Sequence, residues 1–301
     1  MDNSEPKDWR KVNWSQSTKS KLLFEIRNYK TGLSSVQKPR ILLVGQVGAG
    51  KSSFFNSVNS VFRGYTFSQA DAGPRSTSVT KKYRSYPVTY GKGGKELPFI
   101  FCDTMGMETE QDKGIQLKDL ISVIKGHVPQ QYKFNPTAPL EKRNPCFNTS
   151  PSLSEKVHCI VFVVDTTSCI SDTVVKKITD DIRPKAIQLG IPMLVLMTKI
   201  DEACMIVKKD LQKVYNSKYI EEQVDKLSQI LGFDKSRFLL VQNYNSEFEL
   251  TLDKDILILT ALRQMLRAAD EYLEGMRTVN SFFGFFWFFV FSLLVYFFLF
   301  Y

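Results

Sequence analysis

The chain has 301 residues, of which 43% are hydrophobic and 24% are charged, and its formal net charge is +9. These values exclude a disordered chain and favour one large or two ordinary globular domains with a packed core. The five cysteines are odd in number and contain no C-x-x-C pair, which argues against a structural zinc site and favours a reducing compartment.

The first segment is polar and basic, because residues 1–40 hold nine Lys or Arg residues against four acids. We predict a basic N-terminal arm over residues 1–37, with one amphipathic helix carrying Leu22, Leu23, Ile26 and Tyr29. Contact with an anionic surface and a solvated linker both remain open. The arm does not interleave Arg with aromatic residues, so nucleic acid is not expected as a partner. It also has no apolar run of the kind that a secretory signal needs.

From Arg40 the pattern alternates between apolar runs and amphipathic stretches, which is typical of α/β structure. The first apolar run after Arg40 is followed by a helical pattern. Two strand-like runs then flank "GKGGK", and together they predict a hairpin. Later apolar runs are unbroken, as in strands covered on both faces. The predicted strands are Ile41–Val44, Lys82–Tyr90, Leu97–Cys102, Val157–Val164, Met193–Met197 and Phe238–Val241. A long helix is predicted over Asp255–Leu273, and residues 127–152, with five prolines, are predicted to form an inserted loop.

The stretch "GQVGAGKS" after the first strand matches G-x-x-x-x-G-K-[ST] and precedes a helical pattern. Glycines let such a loop wrap phosphates closely, the helix N-terminus favours anions, the Lys51 ammonium reaches phosphate oxygens, and the Ser52 hydroxyl suits Mg²⁺. The predicted nucleotide-contacting residues of this loop are Gly45, Gly48, Ala49, Gly50, Lys51, Ser52 and Ser53.

Two further elements of a phosphate site are predicted from the next strand. The strand ends in "DTMG", where Asp103 would support Mg²⁺ and Gly106 would offer its backbone N–H to a γ-phosphate. A threonine that gives its hydroxyl to Mg²⁺ is expected before that strand. Thr77 and Thr80 are available, and we favour Thr80. The predicted metal ligands are therefore Ser52, Thr80 and Asp103.

The stretch "TKID" follows another buried strand and predicts the choice of base. One carboxylate can accept from both N1–H and N2–H₂ of guanine, an edge that adenine lacks, so Asp201 would select guanine. Thr198 and the Lys199 stem would line the base. A closing loop is expected after the last strand, at Gln242 and Asn243, and we select Asn243. The predicted ligands are GTP or GDP with Mg²⁺.

Catalysis is where the sequence leaves two alternatives open. Lys51, Thr80 and Gly106 are the candidate catalytic residues. Met107 follows Gly106 at a position where many G domains carry a glutamine that orients water, and Val47 would crowd an arginine finger. These features predict either a slow GTPase-type switch that assembles as a homodimer through its nucleotide face, or a catalytically silent scaffold that acts through protein contacts.

The last twenty residues, "FFGFFWFFVFSLLVYFFLFY", carry no charge and contain ten phenylalanines. Twenty helical residues span roughly 30 Å, the thickness of the bilayer's hydrocarbon core. We therefore predict a tail anchor over residues 282–301, with the rest of the protein on the cytosolic face of an intracellular membrane such as the endoplasmic reticulum. A buried helix or a protein interface is the alternative.

Several stretches together resemble the interferon-induced protein 44 and 44-like family: "VGAGKSSFFNSV", "LPFIFCD", "FNP" with "SPSL", "LVQNYNSEFEL" and "DILILTALRQMLRAADEYLE". The resemblance covers about residues 8–275. It implies a Ras-like G domain, guanine nucleotide binding and a role in the interferon-induced antiviral response. The phenylalanine-rich tail is not a general feature of that family, so membrane attachment rests on the composition of the tail itself.

The fold class predicted from these features is α/β. It is a P-loop NTPase of the Ras-like G-domain type, with a mostly parallel sheet flanked by helices, plus a C-terminal transmembrane helix. The predicted domains are the basic arm over residues 1–37, the G domain over residues 38–275 with the insertion at about 127–152, and the hydrophobic tail over residues 276–301.

Overall fold

The computed structural model describes residues 8–67, 82–91, 94–108 and 114–300, with side chains in these ranges up to residue 277. Six strands form one sheet in the order β2-β3-β1-β4-β5-β6. The edge strand β2 is antiparallel to β3, and all other neighbours are parallel, which confirms the predicted mostly parallel sheet. The strands are β1 (Arg40–Gly45), β2 (Arg84–Tyr90), β3 (Lys95–Asp103), β4 (Cys159–Asp165), β5 (Met193–Thr198) and β6 (Phe238–Leu240).

Helices connect and cover these strands, as an α/β fold requires. Within the described ranges the α-helices are α1 (Gln16–Arg27), α2 (Lys51–Arg63), α3 (Leu117–Ile124), α4 (Asp172–Lys176), α5 (Arg183–Gln188), α6 (Ile200–Ala203), α7 (Met205–Lys209), α8 (Lys218–Leu231) and α9 (Leu252–Phe300). A π-helical turn at Lys177–Ile182 joins α4 to α5, and short 3₁₀ turns lie at Leu153–Glu155, Leu211–Tyr215 and Lys235–Arg237.

The core explains why the apolar runs predicted the strands well. Every residue of β5 is buried, and so is every residue of β4 except the last, because helices cover the sheet. Large aromatic side chains fill the space between α2 and the sheet: Phe54 and Phe55 of α2 each contact Phe101 of β3 edge to face. The carboxyl ends of β1, β4 and β5 consequently point to one edge, where a ligand can bind.

The predicted arm is partly packed onto the domain. Ser15 caps α1, and Leu22 and Ile26 of this helix are buried against α9 and the sheet. Tyr29 donates a 2.6 Å hydrogen bond to Asp270 of α9. Residues 8–37 thus contribute to the folded unit instead of standing away from it.

The inserted loop has no helix or strand of its own over residues 127–152, apart from an isolated bridge between Lys82 and Lys133. It is held by packing, since Phe134 and Leu140 are buried. The proline-rich composition therefore predicted its irregular conformation correctly.

Helix α9 is much longer than the predicted Asp255–Leu273. It runs for 49 residues without a break, and no proline interrupts the sequence after its apolar stripe. Over the residues described here, no helix has both the length and the apolar character needed to cross a bilayer. The side chains of the predicted anchor, residues 282–301, lie outside the described residues, so the anchor stays a prediction.

Candidate functional site

The loop between β1 and α2 takes a conformation that depends on glycine. Gly50 precedes α2 in the left-handed region, with φ of 89°, where residues with a Cβ are strained. A Cβ added there would lie 3.1 Å from both Thr198 Oγ1 and Asn243 Nδ2. At the other end of the loop, a Cβ on Gly45 would lie 2.3 Å from the carbonyl oxygen of Val163. The predicted phosphate loop is thus packed tightly against the ends of β4 and β5.

Lys51 is the first residue of α2, and its side chain turns back over the loop. Its Nζ donates to the carbonyl oxygens of Gly45 at 3.0 Å and Gln46 at 2.8 Å. The residue is buried, and burial lowers the pKa of its ammonium, while the carboxylates of Asp103 and Glu108 oppose that shift. A buried cation beside the N-terminus of a helix favours the binding of an anionic ligand.

The other predicted phosphate-loop residues lie where a phosphate group would meet backbone donors. Gly48 and Ala49 form the turn before α2, and Ser52 and Ser53 occupy the first turn of α2. The first four N–H groups of a helix have no partner inside the helix, so this end offers donors together with the positive end of the dipole.

The segment after β3 lies against the same loop. Asp103 ends β3, is buried, and pairs in register with Leu43 of β1. Gly106 fits closely, since a Cβ there would lie 2.6 Å from Val47 Cγ2. Met107 then donates its N–H to the carbonyl oxygen of Gly45 at 3.0 Å. The predicted DTMG segment is therefore beside the loop. Thr80, and Thr77 with it, lies outside the described residues.

Thr198, at the end of β5, joins the two sides of the site. Its hydroxyl contacts the carbonyl oxygens of Ala49 at 2.9 Å and Val164 at 3.2 Å. The hydroxyl is completely buried, so these contacts satisfy a group that would be costly to leave unpaired. The Thr198 hydroxyl thus links the end of β5 directly to the phosphate loop.

Lys199 and Asp201, the residues predicted to contact the base, follow Thr198 directly. Lys199 has an unusual positive φ of 56°, and its Nζ lies 2.5 Å from Asp165 Oδ2. Asp201 is in the first turn of α6, where its Oδ2 accepts from Gln242 Nε2 at 2.9 Å. The Gln242 contact orients the carboxylate that was predicted to select guanine.

Asn243 completes this side, because its Nδ2 donates to the carbonyl oxygen of Gly50 at 3.3 Å. The residues after β6 thus reach both the phosphate loop and the predicted base-selecting carboxylate. Every predicted site residue within the described ranges converges on one edge of the sheet.

Sequence reasoning missed Asp165, which ends β4. Burial raises the pKa of Asp165, but hydrogen bonds from Lys199 and Thr167 outweigh burial and hold the pKa below its usual range. An ionised Asp165 fixes the Lys199 ammonium. The signal was present as a carboxylate directly after the apolar run at Val157–Val164, which is where ligand-site residues of α/β sheets lie.

The donors and acceptors fit a nucleotide with a divalent cation. Lys51 and the N-terminus of α2 suit phosphates, and the Ser52 hydroxyl and Asp103 carboxylate are oxygen ligands of the kind that Mg²⁺ prefers. Searched over the described residues, no cluster of three His, Cys, Asp or Glu side chains could hold a metal by itself. A nucleotide site does not need such a cluster, because Mg²⁺ there takes ligands from phosphates and water.

A phosphate loop between a buried parallel strand and a helix, at the carboxyl edge of this sheet, defines a P-loop nucleotide-binding domain. A family model described as the 50S ribosome-binding GTPase matches residues 40–199, more than half of the chain. The chain belongs to this family of GTPase domains.

Curated relatives refine that result and confirm the resemblance noted in the sequence. Human interferon-induced protein 44-like is 39% identical over 272 residues, or 89% of this chain and 60% of that protein. Human interferon-induced protein 44 is 39% identical over 271 residues, or 89% and 61%. The mouse protein of that name is 37% identical, covering 89% and 64%. The chain therefore spans less than two thirds of the length of these relatives.

Among solved structures, the crystal structure of Toc33 from Arabidopsis thaliana in complex with GDP and Mg²⁺ is similar to the chain. Its TM-score is 0.47 at 12% identity, covering 84% of this chain and 91% of that chain.

Proposed function

We propose that the protein binds guanine nucleotide with Mg²⁺ and acts as a GTPase-type switch. The observation that carries the proposal is the convergence of three motifs: Thr198 bonds to the phosphate loop, Met107 bonds to the same loop, and Asp201 is oriented by Gln242. In this proposal Lys51 and the N-terminus of α2 bind the phosphates. Ser52, Thr80 and Asp103 serve the metal, and Asp201 binds guanine.

Loading of the purified full-length protein with GTP, GDP and ATP tests this function directly. The proposal is supported if GTP and GDP both bind, if full affinity requires Mg²⁺, and if ATP does not displace them. No binding of any nucleotide would instead favour the catalytically silent scaffold, in which the site serves protein contacts.

Hydrolysis is proposed to be slow. Val47 occupies the space beside Gly106, so an arginine finger from a partner would meet a branched side chain there. Met107 has a thioether, which is a weak acceptor and cannot hold a water in line as a carboxamide does. Neither feature affects the binding of nucleotide. Together they leave the attacking water without a side chain to orient it and the transition state without a partner's arginine.

Met107→Gln is expected to raise the rate of GTP hydrolysis, because the new carboxamide can donate to and accept from the attacking water. General positioning effects of this kind are worth about tenfold or more. Single-turnover hydrolysis at high dilution measures the rate, and Met107→Leu is the matched control, since it changes the side chain without adding a polar group. A fast native enzyme, or equal rates for the two variants, would contradict the proposed role of water positioning.

The names of the curated relatives support an interferon-response setting, which we propose for this protein as well. We also propose assembly as a homodimer through the nucleotide face. Light scattering with and without GTP tests this, and a mass that does not change would oppose it.

Membrane attachment through residues 282–301 is proposed from the composition of that segment, with the G domain facing the cytosol. The full-length protein is expected to resist carbonate extraction from membranes, and protease added to intact microsomes should digest it. The sequons at Asn13 and Asn148 should stay without glycans, because they would never enter the lumen. Deletion of residues 280–301 should release the protein while nucleotide binding remains.

Phe291→Arg is a second test variant, which keeps the length of the tail but places a charge at its centre. An arginine at the centre of a spanning helix costs about 2.5–3.5 kcal/mol, so extraction should become easier. A glycan on Asn148, or a full-length protein that stays soluble without detergent, would refute this topology. The second result would make the segment a protein interface.

A further inference from the structure

A buried polar network lies beneath the residues that follow β6. Asp255, in the first turn of α9, is fully buried. Its Oδ1 accepts from the Tyr244 hydroxyl at 2.8 Å, and its Oδ2 lies 2.6 Å from Lys19 Nζ of α1. The same hydroxyl accepts from the Thr251 N–H at 2.8 Å. Burying an ionised pair has a high desolvation cost, and removing one partner leaves the other charge buried without compensation.

Tyr244 is fixed at both ends. While its hydroxyl binds Asp255, its backbone N–H donates to Ser57 Oγ of α2 at 2.8 Å. The two residues before it are Gln242 and Asn243, whose side chains reach Asp201 and the carbonyl oxygen of Gly50. We call residues 242–244 the base loop. Any shift of Tyr244 moves the two side chains that contact the nucleotide site.

In the chain after the base loop, Phe248 is 93% exposed, and Leu250 is only partly buried against the core. The Lys254–Glu247 pair holds this exposed stretch at the surface. Tyr244, only 6% exposed, is therefore the buried anchor of the loop. An anchored loop loses less conformational freedom when a ligand binds, which raises affinity through preorganisation.

The charge that balances Asp255 comes from outside the predicted G domain. Lys19 belongs to α1, which precedes both residue 38 and the segment matched by the GTPase family model. Two other polar contacts join this part of the chain to α9: Arg263 with Glu25 of α1, and Asp270 with Tyr29, which lies just beyond the end of α1 at Arg27 and not within the helix as predicted. Neither of those contacts includes a residue of the base loop. The Lys19–Asp255 pair differs because Asp255 also accepts from the Tyr244 hydroxyl.

We propose that Lys19, Asp255 and Tyr244 are positioning residues for the base loop, and that helix α1 thereby sets the affinity for the guanine base. The inference rests on the proposed guanine-nucleotide function. Loss of the Lys19 charge leaves the Asp255 carboxylate buried without its cation. The carboxylate is then driven to take up a proton or to admit water, and either change disturbs the hydrogen bond that it accepts from the Tyr244 hydroxyl. The base loop loosens, and the phosphate loop then loses only the 3.3 Å contact from Asn243 to Gly50 while it keeps the 2.9 Å contact from Thr198 to Ala49.

Two variants of the full-length protein test the proposal, with Tyr244→Phe removing the hydroxyl and Lys19→Met removing the charge. Tyr29→Phe is the matched control, because it also removes a tyrosine hydroxyl that bonds to an aspartate of α9. Competition binding is measured for GTP and for inorganic tripolyphosphate, which has no base. We expect GTP affinity to fall about tenfold in both test variants, a usual size of coupling between sites. Tripolyphosphate affinity should change less than twofold.

The outcomes separate a positioning role from a merely structural one. Equal losses for GTP and tripolyphosphate, or losses as large in Tyr29→Phe, would overturn the proposal, as would unchanged GTP affinity in both test variants. Lys19→Arg should restore GTP affinity, because the guanidinium supplies the missing charge. If Lys19→Met does not fold, the conservative Tyr244→Phe still decides the result. A native protein that binds no guanine nucleotide would overturn the proposed function itself.

Discussion

Lys51→Ala is expected to weaken GTP binding at least tenfold, and Ser52→Asn should do the same. The lysine variant removes a buried cation whose ammonium lies over the loop and reaches two of its carbonyl oxygens. Without it, the phosphates lose a charge-assisted contact in a site with little water. A tenfold loss corresponds to ~1.4 kcal/mol, which is modest for a contact of this kind.

The serine variant acts through the metal. Ser52 is in the first turn of α2, where its hydroxyl is the predicted Mg²⁺ ligand. Asparagine is larger and places its oxygen differently, so it would disturb the octahedral geometry that Mg²⁺ demands. Calorimetry at fixed Mg²⁺ measures both variants. The affinity of Ser52→Asn should also lose most of its dependence on Mg²⁺.

Lys38→Ala is the matched control for the lysine variant. Lys38 precedes β1, pairs with Glu96 at the surface and lies away from the loop, so its loss changes net charge equally without touching the site. Exposed pairs contribute little to stability, and GTP affinity should stay within twofold. The assignment of the phosphate loop is wrong if all three variants bind GTP as the native protein does.

The sequence predicted the parts of this fold that depend on local pattern. The apolar run predicted at Met193–Met197 became β5 with one more residue, because a strand buried on both faces tolerates few polar side chains. The phosphate loop was equally visible, since its glycines are imposed by close backbone packing, as at Gly50 beside Thr198. Both features are encoded within a few neighbouring residues.

Features that depend on distant contacts were not predictable in this way. Asp165 pairs with Lys199 across the end of the sheet, and Lys19 pairs with Asp255 from opposite ends of the chain. The position of Asp165 after an apolar run and of Lys199 in the TKID stretch is visible in the sequence, but their pairing is not, and neither is the pairing of Lys19 with Asp255. The basic arm was predicted to be solvated or bound elsewhere for the same reason: net charge does not reveal which lysine faces a buried carboxylate.

The length of α9 shows a different limit. The apolar stripe predicted over Asp255–Leu273 covers only part of α9, which runs from Leu252 to Phe300. The sequence after Leu273 turns to a run of aromatic and aliphatic residues with no polar face, so it carries no amphipathic period. An amphipathic pattern therefore predicts only the first part of this helix.

Asp201→Asn is expected to move the preference of the site from guanine to xanthine. In the native protein one carboxylate would accept from both N1–H and N2–H₂ of guanine, and Gln242 holds that carboxylate at its Oδ2. An asparagine amide presents a donor where guanine also presents donors. Xanthine carries a carbonyl at C2, which can accept from the new amide.

The size of the effect follows from the two contacts. Each unsatisfied polar group costs about 1–3 kcal/mol, so losing both should weaken GTP binding about a hundredfold. Xanthosine triphosphate should bind the variant better than GTP does, and competition with GTP, xanthosine triphosphate and ATP measures the ranking. Asp201→Ala is the control, because it removes the carboxylate without supplying a donor and should therefore bind both nucleotides weakly.

The native protein provides the decisive comparison. If Asp201 selects guanine, ATP should compete poorly, since adenine offers no pair of donors at that edge and would leave the Asp201 carboxylate, held by Gln242, without a matching donor pair. Equal binding of ATP and GTP would show that the Thr198–Asp201 segment does not select the base. The Lys199 stem, held by Asp165, would then contact either purine base without distinguishing them, and the site would recognise only the phosphates of the nucleotide.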